Sequence, residues 1–261
     1  MKLSLFICLL FVLSGCSKDA GNLSLDHVNV WVKDPVKAKK KLEDLGFKAV
    51  PDSLSQVHTG QGTTGRYFYF LNTYLELIYI YDEAEFKENI NTNQSLDFLE
   101  RSKSPANGYL PFGVALKMNP YDKTKIPFTT VRYHQDWMGK GNSIYAAQNS
   151  KLKKEEPSVF VIYPEIEYEH FENIDSLKRI PEEYSIWRTF YQHENGAENV
   201  SKVKIYTDKL DKESSTIKSI NAIENVEVIT GKEYLMELYF DHQRQKKTYD
   251  LRPDLPLIIH L

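Results

Sequence analysis

The 261-residue chain is 41% hydrophobic and 26% charged, which places it among ordinary globular proteins rather than disordered or fibrous ones. A net charge of −3 gives it no basic footprint for nucleic acid. The chain past its first residues is long enough for one large domain or two to three small modules.

In chain order, Lys2 precedes an almost wholly apolar run, Leu3–Leu13. That run is too short for a membrane-spanning helix, which needs about 20 apolar residues, and it reads as the core of a signal peptide over residues 1–15. It ends in Leu13-Ser14-Gly15-Cys16, which resembles a bacterial lipobox. The expectation is therefore a lipoprotein acylated at Cys16 and held in the cell envelope by two or three acyl chains. Ser17 after the cysteine favours the outer over the inner membrane, and Ser17-Lys18-Asp19 is similar to surface-export signals of Bacteroidetes lipoproteins. Periplasm-facing and surface-exposed placements both stay open. Residues 16–22 form a short tether. Cys8 would leave with the signal peptide, so no disulfide is expected.

The stretch from Leu23 to Asp82 is the best-patterned part of the chain. Val28, Val30 and Val32 alternate with His27, Asn29 and Trp31, which predicts a strand. Asp34-Pro35 predicts a helix start, with Asp34 as the cap. Val36, Ala38, Leu42 and Leu45 supply an apolar stripe, and Lys37, Lys39, Lys40 and Lys41 a wet side. Gly46 ends the helix. In the final strand Leu75, Leu77 and Tyr79 share one face, and Tyr74, Glu76 and Ile78 the other. With the valines under the helix, His27 and Glu76 look into the opposite, concave side.

Further along, Phe86, Leu96 and Leu99 are spaced for a helix that ends at residues 104–108. A strand follows at 111–118, a hairpin turning at Gly139–Asn142, and a continuous apolar strand at 157–163. Residues 166–192 are acidic and aromatic and read as a connector. Residues 193–261 read as an additional C-terminal α+β module packed on the same domain, with strands at Val203/Ile205, at 233–240 and at the chain end, and a short helix at 214–220. This tail echoes the strand-helix-strands pattern of the opening.

These residues together resemble the vicinal oxygen chelate (VOC) superfamily, in its branch of glyoxalase-like domains. The resemblance is carried by Asp26-His27, by His58-Thr59-Gly60-Gln61-Gly62-Thr63, by Tyr74-Leu75-Glu76-Leu77 and by His193 to Ala197. It implies an α+β fold in which repeated βαβββ modules, paired over residues 23–165, curve mixed sheets into a cup. It also implies a divalent metal (Zn, Fe, Ni or Mn) acting as a Lewis acid on paired substrate oxygens. The implied metal ligands are His27, Glu76 and His58, with Glu76 and His58 also the catalytic candidates. A fourth donor would be His260. Arg66, Arg132 and His193 are the substrate-binding candidates, Arg66 because a guanidinium holds a carboxylate bidentately. Arg132, His134 and Asp136 would share one strand face.

The second module does not repeat the pair. His27 maps onto Gly113, and Glu76 onto the region Ser158–Phe160. Two readings follow. One is an envelope-anchored, metal-dependent lyase, isomerase or dioxygenase acting on a small oxygen-rich molecule. The other is a non-catalytic lipoprotein that keeps the cup, lacks a complete metal site and binds a small ligand.

Overall fold

The computed structural model describes residues 22–261. The expected signal peptide and the expected acylation at Cys16 lie outside them. The first strand, β1 (Leu23–Trp31), leads into helix α1 (Pro35–Glu43), then β2 (Val57–His58), β3 (Thr63–Tyr69) and β4 (Tyr74–Ile80). Asp34 caps α1 by accepting from the Lys37 backbone N–H at 2.9 Å. Ala38 and Leu42 bury the helix against the sheet, whereas Val36, expected on the same stripe, is 72% exposed. It sits in the first turn, on the side that faces away from the core.

Two helices, α2 (Glu83–Thr92) and α3 (Phe98–Ser102), precede β5 (Phe112–Met118). The single helix expected here is thus broken at residues 93–97. The hairpin β6 (Thr130–Tyr133) and β7 (Ile144–Ala147) comes next, then α4 (Asn149–Leu152) and β8 (Ser158–Val161). All eight strands form one mixed sheet in the order β2-β3-β4-β1-β5-β8-β7-β6. The order is symmetric about the antiparallel β1–β5 pair. β1 runs parallel to β4 with Val28 opposite Leu75, and β5 parallel to β8 with Val114 opposite Val159. This is a βαβββ module joined to a second half of the same strand plan. The second half lacks the helix after its first strand. Only a 3₁₀ turn at Lys123–Lys125 stands there, and its α-helix lies between β7 and β8.

The remaining strands are β9 (Val200–Thr207), β10 (Val226–Thr230), β11 (Leu235–Phe240), β12 (Thr248–Asp250) and β13 (Leu257–His260), with helix α5 (Ser215–Asn221) between β9 and β10. They make a second sheet in the order β10-β9-β11-β13-β12. The helix here crosses to a parallel neighbour at the sheet edge, so this tail is not a third copy of the opening module, as its outline pattern suggested. Inward residues of this sheet (Val203, Ile205, Met236, Leu238) join one buried cluster with Val28, Val30, Leu75, Val114 and Val159 of the first sheet. The convex face of the first sheet is thereby covered by α1 and the second sheet, and its concave face is left for the cup.

Residues 166–192 do more than connect. The Tyr168 N–H donates to Asp26 Oδ2 at 2.7 Å, and the Tyr168 hydroxyl to the Phe70 carbonyl at 2.7 Å. Tyr168 packs on Tyr69 and Tyr74, and Trp187 stacks on Tyr69 at 6.0 Å. The segment folds back over one end of the β3–β4 surface. Among the described residues no helix is long and apolar enough to cross a membrane.

Candidate functional site

The concave face carries a cavity of about 1040 Å³, counted with the part open to solvent. His27, Asn29, His58 and Glu76 line one wall, Phe160, Ser158 and Ala146 the other, and Leu96, Phe98 and Trp137 the rim. Strand register explains the wall. A single cross-strand row runs Tyr67–Glu76–Asn29–Gly113–Ser158 through β3, β4, β1, β5 and β8.

His27 is aimed by a β-bulge. The register of β1 against β5 slips between Leu25 and His27, leaving Asp26 as the extra residue. The Asp26 carboxylate, fully buried, meets His27 Nδ1 at 2.6 Å, and its second oxygen takes the Tyr168 N–H. The imidazole lies flat on Tyr74, ring centres 4.1 Å apart, with the Phe160 ring edge-on at 5.8 Å. With Nδ1 committed to Asp26, Nε2 is the nitrogen left for the cavity.

Glu76 is 4% exposed, and its Oε1 has no hydrogen-bond partner. His58 Nε2 lies 3.6 Å from that oxygen and 3.0 Å from the Tyr67 hydroxyl. Burial pushes the His58 imidazole below its ordinary value, an effect the Glu76 charge only partly offsets. The uncharged form of the His58 ring is therefore the favoured one beside Glu76. Burial, reinforced by Glu76, holds the Tyr67 phenol well above its usual range, so it stays a donor. The carboxylate needs Gly65 diagonally across from it on β3: a Cβ there would sit 2.6 Å from Glu76 Oε1 and 2.7 Å from the Tyr67 ring.

The glycine-rich turn before β3 serves packing. The Gly60 and Gly62 N–H groups donate to the Glu85 carboxylate at 2.6 and 2.9 Å. Gly62 has φ +73° and lies so close to α2 that a Cβ would meet the Phe86 nitrogen at 2.2 Å.

Other sequence candidates lie elsewhere. Arg66 is opposite Leu77, one residue out of phase with Tyr67, and so is on the convex side. It reaches Asp52 at 3.1 Å and covers the Tyr79 ring. Arg132 is exposed and donates to Ser143 Oγ at 2.7 Å, while its neighbour Tyr133 faces the cup. His134 is held by the Asn142 carbonyl at 2.7 Å, and Asp136 is exposed. His193 has both ring nitrogens engaged by backbone. Nδ1 accepts the Lys48 N–H, and Nε2 donates to the Tyr69 carbonyl, both at 2.9 Å. Burial pushes its pKa down to about 4. With Asn195, which donates to the Leu45 carbonyl at 2.9 Å, it clasps the end of α1. His260 is on the second sheet, stacked on Tyr239 and 3.8 Å from Glu237.

His27, His58 and Glu76 share one wall, with His58 and Glu76 3.6 Å apart, and the second half adds no donor to them. By the matched registers Gly113 occupies the place of His27 and Phe160 the place of Glu76. Neither offers a donor atom. Among the described residues no group of three or more His, Cys, Asp or Glu is arranged to hold a metal ion, whereas catalytic metal sites use about three protein ligands. Asn29 bears on this too. A Cβ at Gly113 would lie 2.3 Å from Asn29 Oδ1, so the amide fills the space a ligand side chain at 113 would need.

Sequence reasoning missed Tyr67 and Asp26 as site residues, although both sit on elements whose alternation it had read. The roles of Phe98, Tyr133 and Trp137 depend on how α3 and the β6–β7 hairpin wrap round the cup, which no local pattern encodes.

An eight-stranded sheet built from two related halves, curved round a small-molecule cavity, is the architecture of the VOC fold. Residues 25–136 match the glyoxalase-like domain family; with the strand order, that match supports the VOC superfamily. No curated protein matches the chain. Among solved structures it is similar to a hypothetical protein from Staphylococcus aureus, at 12% identity over 91% of this chain and 97% of that one, TM-score 0.46. Methylmalonyl-CoA epimerase from Mycobacterium tuberculosis is 14% identical over 56% of this chain and 93% of that one, TM-score 0.35. A hypothetical protein from Bacillus halodurans is 12% identical over 58% of this chain and 99% of that one, TM-score 0.36.

Proposed function

We propose that this protein binds a small organic molecule in the cup and does so without a resident metal. The observation that carries this reading is the lost second donor pair, Gly113 and Phe160, in a cavity whose walls are otherwise intact. A metal-dependent lyase, isomerase or dioxygenase would have to work from His27, His58 and Glu76 alone. Among the described residues no set of three such donors is arranged for an ion. Where metal chemistry is not available, His58, Glu76 and Tyr67 remain as a hydrogen-bonding trio that orients a ligand. The test is metal content after equilibration with Zn²⁺, Ni²⁺, Mn²⁺ or Fe²⁺ and gel filtration. The reading predicts well under one equivalent of each and a melting temperature unmoved by chelator. One retained equivalent, lost in His27→Ala or Glu76→Gln, would make the enzyme reading the better one.

We further propose that the protein works in the cell envelope, outer membrane before inner, tethered through acylated Cys16. Incorporation of labelled palmitate that disappears in Cys16→Ser supports this, and an unlabelled wild-type chain contradicts it.

A further inference from the structure

Resting on the reading of the cup as a metal-free binding site, we propose that its ligand is an organic cation, a protonated amine carried on an aromatic or otherwise apolar body. The charged N–H group would go to Glu76, with the Asn29 amide on the same wall one strand over. These two residues are direct cross-strand partners, are 4% and 5% exposed, and each has an oxygen without a partner, Glu76 Oε1 and Asn29 Oδ1. A buried carboxylate oxygen left unpaired is costly, and the free energy is recovered when a charged donor meets it.

The protein does not supply that donor. No Lys or Arg lines the cavity. His58 Nε2 stands 3.6 Å from that oxygen, and the Tyr67 phenol opposite Glu76 is an uncharged donor. The cavity's other carboxylate, Asp97, is already matched by Arg101 at 2.7 Å. An anionic ligand would therefore meet no cation.

The remaining walls suit the body of such a molecule. Trp31, Tyr74, Phe98, Tyr133 and Phe160 present aromatic surface to the cavity, and ring faces attract cations as well as apolar groups. Phe160 is the informative one. It stands where the first half has Glu76, so the second half offers a ring in place of a second carboxylate. One carboxylate and one aromatic wall match a single positive charge.

The experiment titrates the full-length protein with three probes that share a ring and differ in charge: benzylammonium, benzyl alcohol and benzoate, by calorimetry at pH 7. The expected result is saturable one-to-one binding of benzylammonium, with benzyl alcohol weaker by about tenfold and benzoate not bound. Glu76→Gln should reduce benzylammonium at least tenfold, and a melting temperature within a few degrees of the wild type shows that the variant keeps its fold. Benzoate binding as tightly as benzylammonium, or benzylammonium binding unaffected in Glu76→Gln, overturns the cation while leaving the cup reading standing. Saturable binding of none of the three overturns both.

Discussion

In the first half of the cup, β1 and β4 present His27, Asn29 and Glu76 to the cavity. In the second half, β5 and β8 present Gly113, Ala115 and Phe160 from matching places. Backbone plan and register are shared, and the chemistry is not. The first half is held by polar groups on its cup face, where Asp26 fixes His27 and Gly65 makes room for Glu76. The second half is held at one end by Arg101 of α3, 1% exposed. Its guanidinium donates to the carbonyls of Leu110, Ser150 and Glu156 and pairs with Asp97. The difference teaches that a cup can keep its shape after half of its donor atoms are gone, because separate interactions maintain shape and chemistry. It also teaches that the loss is coupled: Gly113 is small where the Asn29 amide leans across.

The largest effect expected is on stability. Arg101→Met removes the partner of a buried carboxylate and of three carbonyls, so unfolding free energy should fall by about 3–5 kcal/mol. In a chain of this size that lowers the melting temperature by roughly 10 °C, measurable by calorimetry. A small effect would mean that the second half is not organised by Arg101.

A pH effect of similar size separates the clasp on α1 from the cup. The folded pKa of His193, about 4, lies below the ordinary 6.5, so the unfolded chain binds the proton more readily. Its contribution is fully present above pH 6.5 and is lost as pH falls towards 4, about 3 kcal/mol in all. His58, shifted in the same direction, adds to the loss. Denaturant midpoints across that range should show the slope, and His193→Gln should flatten most of it.

The comparison of halves can be broken by design. Asn29→Ala, Gly113→His and Phe160→Glu together make the second half repeat the first. The triple variant should retain Zn²⁺ or Ni²⁺ after gel filtration where the wild type does not. Gly113→His alone should not, because the Asn29 amide still fills the space.

How much of this was legible in the sequence follows from the period of each element. The first module could be read because β1 and β4 alternate cleanly, and Asp34-Pro35 marks α1 with both a cap and a first-turn proline. That alternation put His27 and Glu76 on one face, where they are. β3 was harder. Its residues are buried on both faces, so pattern alone gives no phase, and Arg66 was assigned to the cup that Tyr67 occupies. The β6 strand set the same trap with Arg132 and Tyr133. His193 and Asn195 look like turn residues because they are. Their partners Lys48 and Leu45 are more than a hundred positions away, beyond any local signal. Residues 166–192 follow a curved surface in 3₁₀ turns with neither strand nor helix period, which hid their packing on Tyr69 and Tyr74.

The smallest effect tests the phase of β3. Arg66→Gln loses a partly exposed pair with Asp52 and should cost no more than about 1 kcal/mol. It should leave benzylammonium affinity unchanged, since the side chain is on the far face of the sheet. A drop in affinity would put Arg66 in the cup after all.

The most direct measurement follows the carboxyl ¹³C resonance of Glu76, assigned by its absence in Glu76→Gln, while benzylammonium and then Zn²⁺ are added to separate samples. A unpaired carboxylate waiting for an organic cation predicts a saturable shift with the amine and none with the metal. A shift to saturation with Zn²⁺ and none with the amine would contradict the account and return the site to metal chemistry.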